Sequence, residues 1–239
     1  MKLLEREAEI LKILGELSAS GAEFVVVGGY AVSALTRHRY SVDCDIVIPK
    51  EELKKVASML KADGYRKHAV REGFDAKYGG FFASYVKDIS GFSVSVDLLV
   101  NSLVSRQTSA SWSFDYIKKH SVLTRVSSVS DSVECSVPEK ELLTAFKIHS
   151  GRKADIRDIV MLIERGSTES VIRHVKRGDS KELDKIMDRI TESLKDKNLR
   201  DSLKGSFSIT ADLTKIIDSA SKYFVELKKE LSSEKPKGT

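Results

Sequence analysis

Cysteine is scarce: Cys44 and Cys135 are the only two in 239 residues. Two thiols so far apart exclude a disulfide framework and a cysteine-rich zinc site, and they suit a reducing compartment. No run approaches the roughly 18 apolar residues that a bilayer span requires. The opening MKLLEREAEILKILGEL breaks its apolar residues with Glu5, Glu7 and Glu9, unlike a secretory signal. Charge of one sign is also lacking. Forty Lys plus Arg against 35 Asp plus Glu give a net +5 with no dense basic tract, which permits an anionic partner without demanding one. Internal repeats and low-complexity tracts are missing. His38, His68, His120, His149 and His174 do not show the i, i+4 spacing of a helical metal site and read as surface or interface residues. The expectation is a soluble, cytoplasmic protein with no membrane partner.

What is present is material for a core. The chain is 41% hydrophobic, and its length corresponds to one large or two small folding units. Leu3, Leu4, Ile10, Leu11, Leu14 and Leu17 recur at helical spacing and predict an amphipathic helix ending near Gly21. A short β-branched strand over 24–27 stops at Gly28 and Gly29, a helix is expected over 30–35, a strand over 42–48, and a helix over 51–62 opened by Pro49. From 65 to 100 the pattern is antiparallel β structure, with turns at Gly79-Gly80 and Ser90-Gly91 and clear alternation over 92–98. Strands over 122–126 and 133–137 precede helices over 141–149 and 153–164. Beyond Gly166 strand formers thin out. Two helical stripes remain, one through Leu183, Ile186, Ile190 and Leu194 and one from Leu213 to Leu231, and the last eight residues should fray. Cys44, Cys135 and Trp112 read as buried.

The chemistry lies in FVVVGGYAVSALTRHRYSVDCDIVI, residues 24–48. Strand alternation sends Asp43 and Asp45 to one side and Cys44 to the other. Two like charges about 4 Å apart repel by about 4 kcal/mol at an effective dielectric near 20, so a cation between them is the natural solution. Hard oxygen donors favour magnesium or manganese, which commonly share their ligands with phosphate. Gly28 and Gly29 fit a phosphate, because residues without Cβ admit close backbone approach and the following helix start carries partial positive charge. In GFSVSVDLLV, residues 91–100, Asp97 shares a face with Ser93 and Ser95 and supplies a third carboxylate.

Strand, Gly-Gly, helix and an Asp-x-Asp strand together resemble the polymerase-beta-type nucleotidyltransferase superfamily. A second block, VPEKELLTAFKIHSGRKADIRDIVML over 137–162, resembles the helical segment of AbiEii-like nucleotidyltransferases, with Lys147, Arg152, Lys153, Asp155 and Asp158 at the matching positions. Tyr30 departs from the superfamily, many of whose members have a small residue, often Ser, after the glycines. The resemblance spans 24–164 and implies an α/β (α+β) fold: a nucleotidyltransferase core with a small mixed sheet flanked by helices over 1–165, and a helical C-terminal region over 166–239. It implies transfer of a nucleoside monophosphate from a nucleoside triphosphate such as ATP to a hydroxyl, with magnesium or manganese held by Asp43, Asp45 and Asp97 and Asp97 deprotonating the acceptor. Nucleotide binding is then expected at Gly28, Gly29, Arg39, Lys147, Arg152 and Asp158. AbiEii-like members are commonly toxins paired with an antitoxin, so tRNA or another RNA and an antitoxin protein are the expected partners. Aminoglycoside-modifying members share the same core, which leaves a small-molecule acceptor open, and a non-catalytic nucleotide-binding regulatory module is the alternative class.

Overall fold

The computed structural model describes residues 2–129, 131–163 and 166–233. Its contacts divide the chain into two units: Met1–Val104 with Ser111–Glu139, and Ser105–Ala110 with Lys140–Thr239.

The first unit is mixed α/β. It runs α1 (Lys2–Ala19), β1 (Val25–Val26), α2 (Gly28–Leu35), β2 (Asp43–Ile48), a 3-10 turn (Lys50–Glu52), α3 (Leu53–Ala62), β3 (Arg66–Asp75), β4 (Gly80–Ile89), β5 (Phe92–Val100), β6 (Ser102–Val104), β7 (Ser111–Ser113), α4 (Phe114–Lys119), β8 (Ser121–Ser127) and β9 (Ser132–Pro138). Five strands form one sheet in the order β1-β2-β5-β4-β3; β2 and β5 are parallel and the other neighbours antiparallel. The small mixed sheet with flanking helices is the fold class expected from the sequence.

Alternation decides what each sheet face carries. Cys44, Ile46 and Ile48 on β2 lie opposite Val96, Leu98 and Val100 on β5, and all six are fully buried. On the same face Lys87, opposite Val94, reaches Glu9 of α1 at 2.6 Å and Asp63, just after α3, at 3.1 Å, tying both helices to the sheet. The polar residues of β2 and β5 point the other way.

Three expectations change here. Leu3 and Leu4 are 47% and 39% exposed, so the buried stripe of α1 starts at Glu7 and continues through Ile10, Leu11, Leu14 and Leu17. Pro49 does not enter a helix. Its ψ of 157° is extended, and a 3-10 turn precedes α3. The second helix begins at Gly28 and not at Tyr30, so both glycines lie in its first turn.

The second unit is helical: α5 (Lys140–Ser150), α6 (Lys153–Leu162), α7 (Thr168–Val175), α8 (Ser180–Ser193), α9 (Asn198–Phe207) and α10 (Thr214–Ser233). The division therefore falls after Glu139, ahead of the boundary near 165 read from composition. The cause is α5, whose residues Leu142 to His149 are all buried. A helix buried on every side needs helical neighbours all round, and α6, α7 and α8 supply them. The loop Ser105–Ala110 belongs to this unit because Ser105 Oγ donates to the His149 carbonyl at 2.8 Å and Gln107 Nε2 to that of Ser150 at 2.5 Å. Of the two expected stripes, Leu183, Ile186 and Ile190 are buried in α8 and Ala220, Phe224 and Leu227 in α10, whereas Ile216, Ile217 and Leu231 are half-buried. Ser232 and Ser233 close α10, while Glu164 and residues 234–239 lie outside the described residues. No described helix is long and apolar enough to cross a membrane.

Candidate active site

In the parallel pair β2–β5, Asp45 stands opposite Asp97 and Asp43 opposite Ser95. Directly paired residues point the same way, so three carboxylates share one face, opposite the buried Cys44, Val96 and Leu98. Asp43 is exposed, whereas Asp45 and Asp97 are half-buried. Two hydroxyls orient the outer pair: Ser95 Oγ donates to Asp43 Oδ1 at 2.7 Å, and Ser84 Oγ, from β4, to Asp97 Oδ1 at 2.6 Å. Burial holds the Asp97 carboxyl above the ordinary carboxylate range; the Ser84 hydrogen bond and His68 oppose that shift, and the Asp43 charge adds to it.

The donor set is all carboxylate oxygen, carried on one face of two neighbouring strands, with serine hydroxyls orienting Asp43 and Asp97. That chemistry fits a hard divalent cation such as magnesium or manganese, with the Ser84 and Ser95 hydroxyls holding two of the carboxylates in orientation. Asp43, Asp45 and Asp97 would hold it.

The glycine turn is shaped around the same cluster. Val27 N–H donates to the Asp45 carbonyl at 2.9 Å, joining the end of β1 to β2. Gly28 follows with φ +65°, and a Cβ there would overlap the Asp45 carboxylate. A Cβ on Gly29 would overlap Ser41 Oγ and come within 3.1 Å of Arg39 Nη2. Both glycines are therefore needed for close approach, and no side chain caps the start of α2. Gly28→Ala is expected to destabilise the protein by at least about 1–2 kcal/mol, since it adds left-handed strain to the collision. It should also displace Asp45; thermal unfolding and metal-dependent nucleotide binding measure the two effects.

The structure thus brings Asp43, Asp45, Asp97, Gly28, Gly29 and Arg39 together in the first unit. Lys147, Arg152 and Asp158 lie in the second, where they meet Asp155. Lys147 Nζ sits 3.0 Å from Asp155 Oδ1 and 2.8 Å from Asp158 Oδ2, and Lys147 is only 6% exposed. Asp155 Oδ2 also accepts from Ser150 Oγ, Arg152 Nε and the Arg152 backbone N–H. Burial alone would raise the Asp155 carboxyl, but Lys147, Arg152 and Ser150 bring it down to about 2. Ser84, Ser95 and Ser41 are the contributors whose parts sequence reasoning missed; the only signal was a hydroxyl at an alternating position in an otherwise apolar strand, or two residues before Asp43.

His149 and His174, expected at the surface or an interface, are fully buried. Thr108 Oγ1 donates to His149 Nδ1 at 2.7 Å, and His149 Nε2–H donates to the Val175 carbonyl at 2.8 Å. Both are partners of a neutral ring, and burial pushes its pKa down to about 4. Between 6.5 and 4 the unfolded chain therefore binds a proton that the folded chain does not, so stability falls as pH drops through that window, by up to about 3 kcal/mol. Asp155 extends the loss from 3.8 towards 2, because its folded carboxyl resists protonation. Urea unfolding across this range checks both, and His149→Gln should flatten the upper part of the profile.

No protein-family model and no curated protein matches the chain. Among solved structures it is similar to JHP933 from Helicobacter pylori, with 14% identity and a TM-score of 0.48 over 97% of this chain and 94% of that one. It is also similar to ANT(2")-Ia in complex with adenylyl-2"-tobramycin, with 14% identity and a TM-score of 0.46 over 76% and 97% of the two chains. Likeness to the lincosamide antibiotic adenylyltransferase LnuA, lincomycin-bound, is at 19% identity and a TM-score of 0.44 over 66% and 96%. At these scores the likenesses carry no functional weight.

Proposed function

We propose that the protein is a metal-dependent nucleotidyltransferase that moves a nucleoside monophosphate from a nucleoside triphosphate to a hydroxyl acceptor. The observation that carries this reading is the register of β2 with β5, which sets Asp45 beside Asp97, one alternation from Asp43, with Gly28 pressed against Asp45. Divalent cations bound there would supply charge neutralisation for the triphosphate and a lowered pKa for the acceptor hydroxyl. Asp43 and Asp45 serve as ligands. Asp97 would serve as ligand and receive the acceptor's proton. The N–H groups of Gly28 and Gly29 at the start of α2, with Arg39 beside them, receive phosphate oxygens.

In the second unit, Arg152 pairs with Asp155 and has a side chain 69% exposed, and the resemblance over 137–162 assigns it to nucleotide binding. Lys147 and Asp158, with Asp155, fix the α5–α6 corner that presents it. The acceptor in this reading is a macromolecular hydroxyl such as a tRNA end, and the role that of an AbiEii-like toxin with an antitoxin partner; the second block from Lys147 to Asp158 supports it.

The test incubates purified protein with magnesium and each of the four labelled nucleoside triphosphates, offering total RNA, protein and an aminoglycoside, and follows both label and pyrophosphate. Label on RNA supports the macromolecular acceptor. Label on the aminoglycoside moves the acceptor to a small molecule, and nucleotide binding without pyrophosphate release makes the protein a regulatory module.

A further inference from the structure

The loop 36–42 between α2 and β2 carries Arg39 to the glycine-led end of α2. Two of its fastenings come from α2 itself. Ser33 Oγ donates to the Arg39 carbonyl at 3.1 Å and accepts from the Arg39 N–H at 3.2 Å, and the Tyr30 hydroxyl donates to the Ser41 carbonyl at 3.2 Å. Tyr30, the residue that departs from the superfamily pattern, is thus 3% exposed and used as a hook for this loop.

The third fastening comes from a different element. Glu7, on α1, is 1% exposed, and its Oε1 accepts from His38 Nε2 at 2.8 Å. Its second oxygen, Oε2, is buried with no hydrogen-bond partner among the described residues. Glu7 occupies a position in the buried stripe of α1, one helical step before Ile10 and Leu11, where an apolar side chain would serve the core better. Burial accordingly pushes its carboxyl up, against the pull of His38. A half-satisfied carboxylate is therefore unfavourable for folding alone. What it does accomplish is to hold His38, the residue next to Arg39.

We infer that Glu7 and His38 form a tether from α1 that positions Arg39 at the Gly28–Gly29 turn, setting affinity for the triphosphate without touching the reacting atoms. Resting on the nucleotidyltransferase reading, this makes both of them positioning residues. Arg39 held in place before the ligand arrives loses less freedom on binding, and affinity rises by that difference.

The experiment compares unaltered protein with Glu7→Met, Glu7→Gln and His38→Phe. It measures binding of each magnesium nucleoside triphosphate by calorimetry, KM and kcat in the transfer assay, and the thermal midpoint. Glu7→Met is expected to keep or raise the midpoint, because it replaces a half-satisfied buried carboxylate, while Kd and KM rise about tenfold and kcat stays within about twofold. His38→Phe should weaken binding similarly. Glu7→Gln keeps an acceptor for His38 Nε2 and should bind within about twofold of the unaltered protein. Unchanged binding in Glu7→Met overturns the tether, as does a joint fall of midpoint, kcat and affinity, which would mark Glu7 as ordinary structure. Failure of the unaltered protein to bind any magnesium nucleotide instead overturns the functional reading beneath it.

Discussion

Asp45→Asn is expected to lower nucleotidyl transfer by at least about a hundredfold, the scale seen when a group that stabilises transition-state charge is lost. The substitution is nearly isosteric, so the contact with Gly28 and the β2–β5 register should survive. The charge does not. Asp45 stands opposite Asp97 across the parallel strands, and removing one negative charge from a cluster of three relieves repulsion in the cation-free protein. The thermal midpoint without metal should therefore stay level or rise, while the stabilisation brought by added magnesium should shrink. Asp43→Asn should behave alike, less severely in the midpoint because Asp43 is the more exposed. Label transfer, paired with thermal unfolding with and without magnesium, reads both effects. Undiminished transfer by Asp45→Asn would end the proposed function.

The carboxylate face was legible in the sequence because alternation is local: Asp43 and Asp45 flank an apolar Cys44, and Asp97 follows Ser93 and Ser95 at spacing two. The register that makes Asp45 the neighbour of Asp97 was not, since it depends on a parallel pairing across the intervening α3, β3 and β4. Ser84 was invisible for the same reason; it reaches Asp97 from a third strand, and no spacing rule links 84 to 97. Gly28 was suspect as a glycine, but its collision with Asp45 is a tertiary fact. Helix α4 is six residues long, too short for a 3.6-residue period to show, and α9 ends on Ser208 in the left-handed region where a glycine signal would be expected. Glu7 misled in an instructive way. A charged residue in an apolar stripe reads as an interruption of the pattern, whereas the structure buries it and gives it His38.

The largest stability effect is expected at Lys147. Its ammonium is enclosed between Asp155 and Asp158, each about as buried as the lysine itself or more so, and Asp155 is held down at about 2 by this company. Lys147→Met removes the cation and leaves both carboxylates in place, which should cost about 3–5 kcal/mol of unfolding free energy, the range for breaking a buried pair from one side. Arg152 stays paired to Asp155 but is mostly exposed, and offsets only part of the loss. Adding Asp155→Asn and Asp158→Asn to Lys147→Met removes the two buried negative charges as well, and urea unfolding should then recover most of the difference. This restored variant also separates two uses of the lysine. If Lys147 serves the nucleotide by bracing the α5–α6 corner, nucleotide affinity should recover along with stability. If its charge meets the triphosphate directly, affinity should stay low in a protein that is again well folded.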